Sequence, residues 1–257
     1  MATNVESKKD IKQSKKERKS SFSLNWKSVA TVIALIAWVG IASIATQLII
    51  GYPLLQIIGK QAMSSPFWTT IYSAITYAAD LAIIILIPKA IKKKWETTRE
   101  KLGLKDLPTF TDIGIAFIGF IATMIISSVI VDGLLKNVIN TEQVQDVGFN
   151  NLINPSDRIL AFITLVIIAP IAEEIIFRGW LYDKIKKYSG TTIAIVLVSV
   201  LFGALHGQWN VGITVGIMSA IMCIERELTG TIYAGILTHM IKNGFAFWLI
   251  YIVTGYF

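Results

Sequence analysis

Cysteine, histidine and charge are all scarce in this chain of 257 residues, which has one Cys and two His, and only 16% of it is charged. The lone Cys223 sits in an apolar run, so neither an intrachain disulfide nor a cysteine-based zinc site can form, and the thiol reads as a small buried hydrophobe. Scarce charge beside 54% hydrophobic residues and a mean hydropathy of +0.61 excludes an ordinary soluble domain, because no single soluble core of this length needs so much apolar side chain. The formal charge of +7 does not point to nucleic acid. The basic residues lie between the apolar runs and form no stripe with interleaved aromatics, so no nucleic-acid partner is expected.

What the chain does have is long apolar runs. Residues 1–25 are rich in Lys, Ser and Glu and are expected to be a disordered basic cytoplasmic tail. The run from Ser28 to Gly51 reads as an uncleaved first spanning helix, since the tail is too long and polar for a typical signal peptide. Further spans are expected near 66–90, 109–135, 159–177, 192–206, 210–224 and 230–253, with an eighth if the last run breaks near Asn243 and Gly244. The fold class is therefore an all-α polytopic transmembrane bundle of seven to eight helices occupying 26–257, in the cell membrane.

Basic residues resist translocation. With the N-terminus cytoplasmic, the inner segments 1–27, 89–105, 178–187 and Arg226 hold 20 Lys and Arg, against Lys60, Lys136 and Arg158 outside. The 136–158 stretch is then an outer loop.

Ionisable side chains inside hydrocarbon cost roughly 2.5 to 3.5 kcal/mol on insertion scales, so a helix keeps one where partners or water surround it. Several cluster in the last helices. Glu174 and Arg178 are four apart and can pair on one helix face, whereas Glu173 is turned about 100° away and is left for other work. Pro170, one turn earlier, removes a backbone hydrogen bond and should open room beside Glu173. Phe202 with His206, and His239 with Asn243, repeat the four-residue spacing, and Gly203 and Gly207 would admit a close helix neighbour. A carboxylate, two imidazoles and an amide in a dry site suit hydrolysis, of a peptide bond above all. Glu173 can activate water while His206, His239 and Asn243 assist or donate to an oxyanion. Alternatively Glu173, His206 and His239 form a zinc set with an open position, so the cofactor is either zinc or none. Asp80 and Lys242 belong to no such constellation, Lys242 reading as a snorkelling side chain. Glu225 and Glu227 flank Arg226 as ordinary solvated charge at a helix end.

Glu173-Glu174-x-x-x-Arg178, Phe202-x-x-x-His206 and His239-x-x-x-Asn243, in this order on successive hydrophobic helices, resemble the three motifs of the CAAX-protease and bacteriocin-processing (Abi) family of intramembrane endopeptidases. The resemblance covers about 155–250; the first three helices match in hydropathy alone. It implies about eight helices and a site opening toward the cytoplasm. Glu173 would be the water-activating base, His206 its partner or a metal ligand, and His239 with Asn243 the oxyanion or ligand side. Glu174 and Arg178 would support them. It also implies a peptide or membrane-protein substrate, and, for the bacterial member that the short chain and lysine-rich tail suggest, peptide maturation or self-immunity to a bacteriocin. The partners would then include a bacteriocin or its membrane receptor, besides the bilayer. Two other functions compete: a non-catalytic immunity protein that keeps the motifs as scaffold, and a proton-coupled transporter, which the absence of an internal repeat disfavours.

Overall fold

The computed structural model describes residues 26–91, 97–141, 147, 149, 152 and 154–253; the expected tail at 1–25 lies outside them. Among the described residues there are seven helical rods. They are α1 (Trp26–Ile58), α2 (Pro66–Ile91), α3 (Phe110–Leu135), α4 (Pro155–Ser189), α5 (Thr191–Ala204), α6 (Trp209–Thr229) and α7 (Tyr233–Val253). The seven runs expected from hydropathy are all present as helices, and α7 continues through Asn243 and Gly244, so no eighth arises there. Only α1–α4 and α7, five helices, are long and apolar enough to cross a membrane. At about 1.5 Å per residue, the 14 residues of α5 span roughly 21 Å, short of a hydrocarbon core of about 30 Å. Helix α6 carries Glu225, Arg226 and Glu227 in its last turns, which lowers its apolar content.

Helix α4 is the centre of the bundle. Every residue from Ile176 to Tyr182 is buried, and this stretch packs with Val32, Leu35 and Val39 of α1, Ile84 of α2, Phe202 of α5 and Met218 and Met222 of α6. By contrast Ile33, Ile41, Ile44, Ile49, Phe117 and Ile118 are exposed on the outside of the bundle. An apolar outside around a partly polar inside is the arrangement lipid demands, and the protein is a multi-pass membrane protein. Trp38 adds a directional tie, its indole N–H donating to the Ile84 carbonyl (3.2 Å).

Two glycines set the turn that brings α5 and α6 back toward α4. Gly190, at φ +79°, separates α4 from α5 in a backbone conformation that side chains with a Cβ rarely adopt. Gly203 of α5 faces Gly212 of α6 so closely that a Cβ at 203 would stand 2.5 Å from the Gly212 carbonyl oxygen. Gly207, expected to share this packing, instead has φ +70° and no neighbour around a Cβ position, so its function is the turn after α5.

The end of the bundle carrying residues 97–112 is closed by polar ties. Ile232 donates to the Gly103 carbonyl (3.2 Å), and the Tyr233 hydroxyl donates to that of Asp106 (2.6 Å). Asp112, in a capping box with Thr109, accepts from the Thr231 hydroxyl (3.2 Å). Arg226 donates to Asp183 (2.8 Å), to the Lys101 carbonyl (3.2 Å) and to the Gly230 carbonyl. Arg226 and Glu225 are 8% and 3% exposed, which corrects their reading as solvated charge at a helix end.

Candidate active site

Helix α4 leaves ordinary α-helical hydrogen bonding twice. Ile163–Ile168 and Ile175–Tyr182 adopt the wider i to i+5 pattern, bracketing the α-helical Ala169–Glu174. Pro170 has no N–H to give, and the register change before it, with the Ala169 N–H reaching Thr164, absorbs the missing bond. Glu173 and Glu174 thus lie between two widened segments, where their side chains diverge as the 100° rotation requires.

Glu174 faces inward. Its Oε1 accepts from Arg178 Nη1 (2.9 Å) and from His239 Nδ1 (3.1 Å), and both members of the Glu174–Arg178 pair are 0% exposed. A carboxylate only accepts, so Nδ1 of His239 carries the proton and Nε2 is turned toward Glu173, 3.9 Å from its Oε2. Removing either member of such a buried pair leaves an uncompensated charge, so Arg178 and Glu174 stand or fall together. Arg178 had been counted among the inner-loop basic residues; its complete burial removes it from that tally. Its guanidinium lies 4.6 Å from the Phe202 ring centroid, and the same ring meets Phe177 edge to face (4.9 Å) and His239 (5.9 Å). Phe202 is therefore the apolar pivot on which the ion pair and His239 rest.

Glu173 is held by a residue the motifs do not contain. Tyr77 of α2 donates its hydroxyl to Glu173 Oε1 (2.9 Å). A tyrosine in an apolar run gives no spacing signal, and 96 residues separate the pair, so nothing short of the fold could reveal it.

His206 lies two residues beyond the end of α5, not within it. Its Nδ1 pairs with the Phe202 carbonyl (2.8 Å), which can only accept, so Nδ1 donates and the chemistry left to this ring runs through Nε2. Asn243 gives an amide N–H to the Leu165 carbonyl (2.9 Å) in the first widened segment of α4, and its Oδ1 accepts from Lys242 (3.3 Å).

Glu173, His206, His239 and Asn243 all line one cavity of about 520 Å³, together with Tyr77 and Lys242. Its other walls include Leu165, Val211, Val215 and Phe247, with Val147 and Phe149 from the segment before α4. Lys242 was expected to snorkel; it lines this cavity instead. Every lining residue of α2, α4, α6 and α7 lies between Glu173 or His239 and the end of the bundle bearing 136–158. The cavity therefore lies on the side away from the closed 97–112 end. This departs from the cytoplasmic opening that the resemblance implies when combined with an N-terminus inside.

Among the described residues, no three or more His, Cys, Asp or Glu side chains stand close enough to hold a metal ion. The zinc set of Glu173, His206 and His239 is thus not assembled in this arrangement, although the Nδ1 bonds to Phe202 and Glu174 are of the kind that orient a metal-binding imidazole.

A multi-pass helical membrane protein with a buried Glu–His–Glu–Arg chain facing a cavity is the class that fold and site define. Residues 155–245 match the family model described as Type II CAAX prenyl endopeptidase Rce1-like, the same CAAX protease family that the three motifs resemble. The match contains all seven motif residues and excludes α1–α3, hence also Tyr77. No curated protein and no solved structure matches the chain.

Proposed function

We propose that this protein is an intramembrane endopeptidase in which Glu173 activates water against a peptide carbonyl. The observation that carries the reading is the Tyr77–Glu173···His239–Glu174–Arg178 chain beside a cavity large enough for several residues of a peptide. Glu173 takes a proton from water as its oxygen attacks the carbonyl carbon. The oxyanion accepts a hydrogen bond from the second amide hydrogen of Asn243 and, once an imidazole is protonated, from its Nε2–H. As the carbon–nitrogen bond breaks, the proton held by Glu173 passes to the leaving amine. His239, locked by Glu174, keeps one nitrogen beside Glu173, while His206 acts through Nε2.

The family's description names prenylated CAAX substrates, and a prenylated peptide is the natural probe here. The loop charges support an N-terminus inside. The motif resemblance supports a bacterial member engaged in peptide maturation or bacteriocin self-immunity. The test is cleavage of a farnesylated peptide by the purified full chain and by Glu173→Gln. Loss of cleavage in a folded variant is expected; cleavage that survives would remove Glu173 from the reaction. Protection from a bacteriocin that survives the same substitution would favour the non-catalytic immunity role.

A further inference from the structure

Lys242 lies between two motif positions, His239 and Asn243, without belonging to the pattern. It is placed near the middle of α7, roughly 14 Å from Tyr233 and 17 Å from Val253 at about 1.5 Å per residue, farther than a lysine stem extends. It cannot reach either interface, and its side chain lines the cavity instead. The hydrogen bond shown for its ammonium goes to the neutral Oδ1 of Asn243 (3.3 Å), and among the described residues no carboxylate lies within ion-pairing distance of it. A lysine carries three N–H donors, and the charge of Glu173 acts on this one across the cavity without forming an ion pair with it, so donors remain for a ligand.

We infer that Lys242 is a carboxylate-binding subsite for the substrate, set one helical turn from His239 on the open side of the site. The inference rests on the endopeptidase reading and adds to it a requirement: the peptide must bring a carboxylate a few residues from the bond that is cut. The cavity holds about 520 Å³, room for a few residues, and Glu173 and Lys242 line the same space. Apolar walls such as Val211, Val215 and Phe247 stand beside the polar ones, and an ion pair formed there would fix the register of the chain over Glu173. A phosphate would draw on a fork of donors that a single ammonium does not provide. Peptides supply carboxylates from two sources, the free C-terminus and an acidic side chain, and both present the same chemistry to Lys242.

Three farnesylated peptides separate these sources: one ending Cys-Val-Ile-Met as the free acid, its C-terminal amide, and an amide in which Glu replaces the final Met. They are offered to the full chain in detergent micelles, and to Lys242→Met and Lys242→Arg. In the unaltered protein the free acid should be cleaved with kcat/KM at least about tenfold above its amide, the scale of one charge-assisted contact. If a side-chain carboxylate serves equally, the Glu-containing amide recovers the loss. The acid-to-amide ratio should collapse to near one in Lys242→Met and persist in Lys242→Arg, whose retained charge guards against a folding artefact. A ratio near one in the unaltered protein, or one that survives Lys242→Met, overturns the subsite. Binding of the same peptides to Glu173→Gln, followed by intrinsic tryptophan fluorescence, separates the two readings. Binding that favours a carboxylate without cleavage by the unaltered chain would sink the endopeptidase and keep the subsite. Cleavage without preference would do the reverse.

Discussion

Two clusters of buried charge share helices α4 and α7, and they are put to opposite uses. At mid-depth, Glu173 and His239 border a cavity, and the Glu174–Arg178 pair is enclosed behind them. Toward the 97–112 end, Asp183, Glu225, Arg226, Asp112, Thr231 and Thr238 bond mainly to one another and to backbone carbonyls, and none of them lines that cavity. The residue types are alike. What differs is that one cluster has space beside it and an imidazole between its carboxylates, whereas the other is filled by backbone, as at Gly119, where a Cβ would collide with the Glu225 carboxylate. Buried charge alone does not mark a reactive site; buried charge next to room for a substrate does.

Four substitutions would sharpen or break this contrast. Arg178→Met should have the largest effect, destabilising the protein by about 3–5 kcal/mol because Glu174 is left charged and fully enclosed. A thermal melt in detergent reads it, and an unchanged midpoint would mean that Glu174 is already neutral. Glu173→Gln should lower cleavage about a thousandfold, within the usual range for a general base, while the same melt moves little. Arg226→Met should cost about 1–3 kcal/mol through the carbonyls and the half-exposed Asp183 it abandons, with cleavage per folded molecule preserved. If activity vanished while the protein stayed folded, the two clusters would be one functional unit and the contrast would fail. Tyr77→Phe should have the smallest effect, a roughly tenfold fall in kcat with KM held, since one hydrogen bond to a charged carboxylate is lost and the ring remains. A rise in KM with kcat unchanged would instead make Tyr77 a wall of the cavity only.

Much of the site was legible in the sequence because local spacing carries it. Glu174 and Arg178 pair across one helical turn, as their separation dictates. His239 and Asn243 share a helix face and both reach the cavity. His206 is a different case: the helix ends before it, and the turn after Ala204, not continuation of α5, brings it to the cavity. Arg226 looked solvated beside two glutamates, and only the loop from 97 to 112, folded across the helix ends, buries it.

Hydropathy and four-residue spacing by themselves fixed the helices, the membrane setting and the identity of the polar residues that share a face, because both depend on nearest neighbours along the chain. Which carboxylate meets which imidazole, the contact of Tyr77 with Glu173, the placement of Lys242 in the cavity and the side on which that cavity lies were decided by tertiary packing. These are contacts between residues tens of positions apart, set by how the helices pack around one another, and no local period in a sequence encodes them.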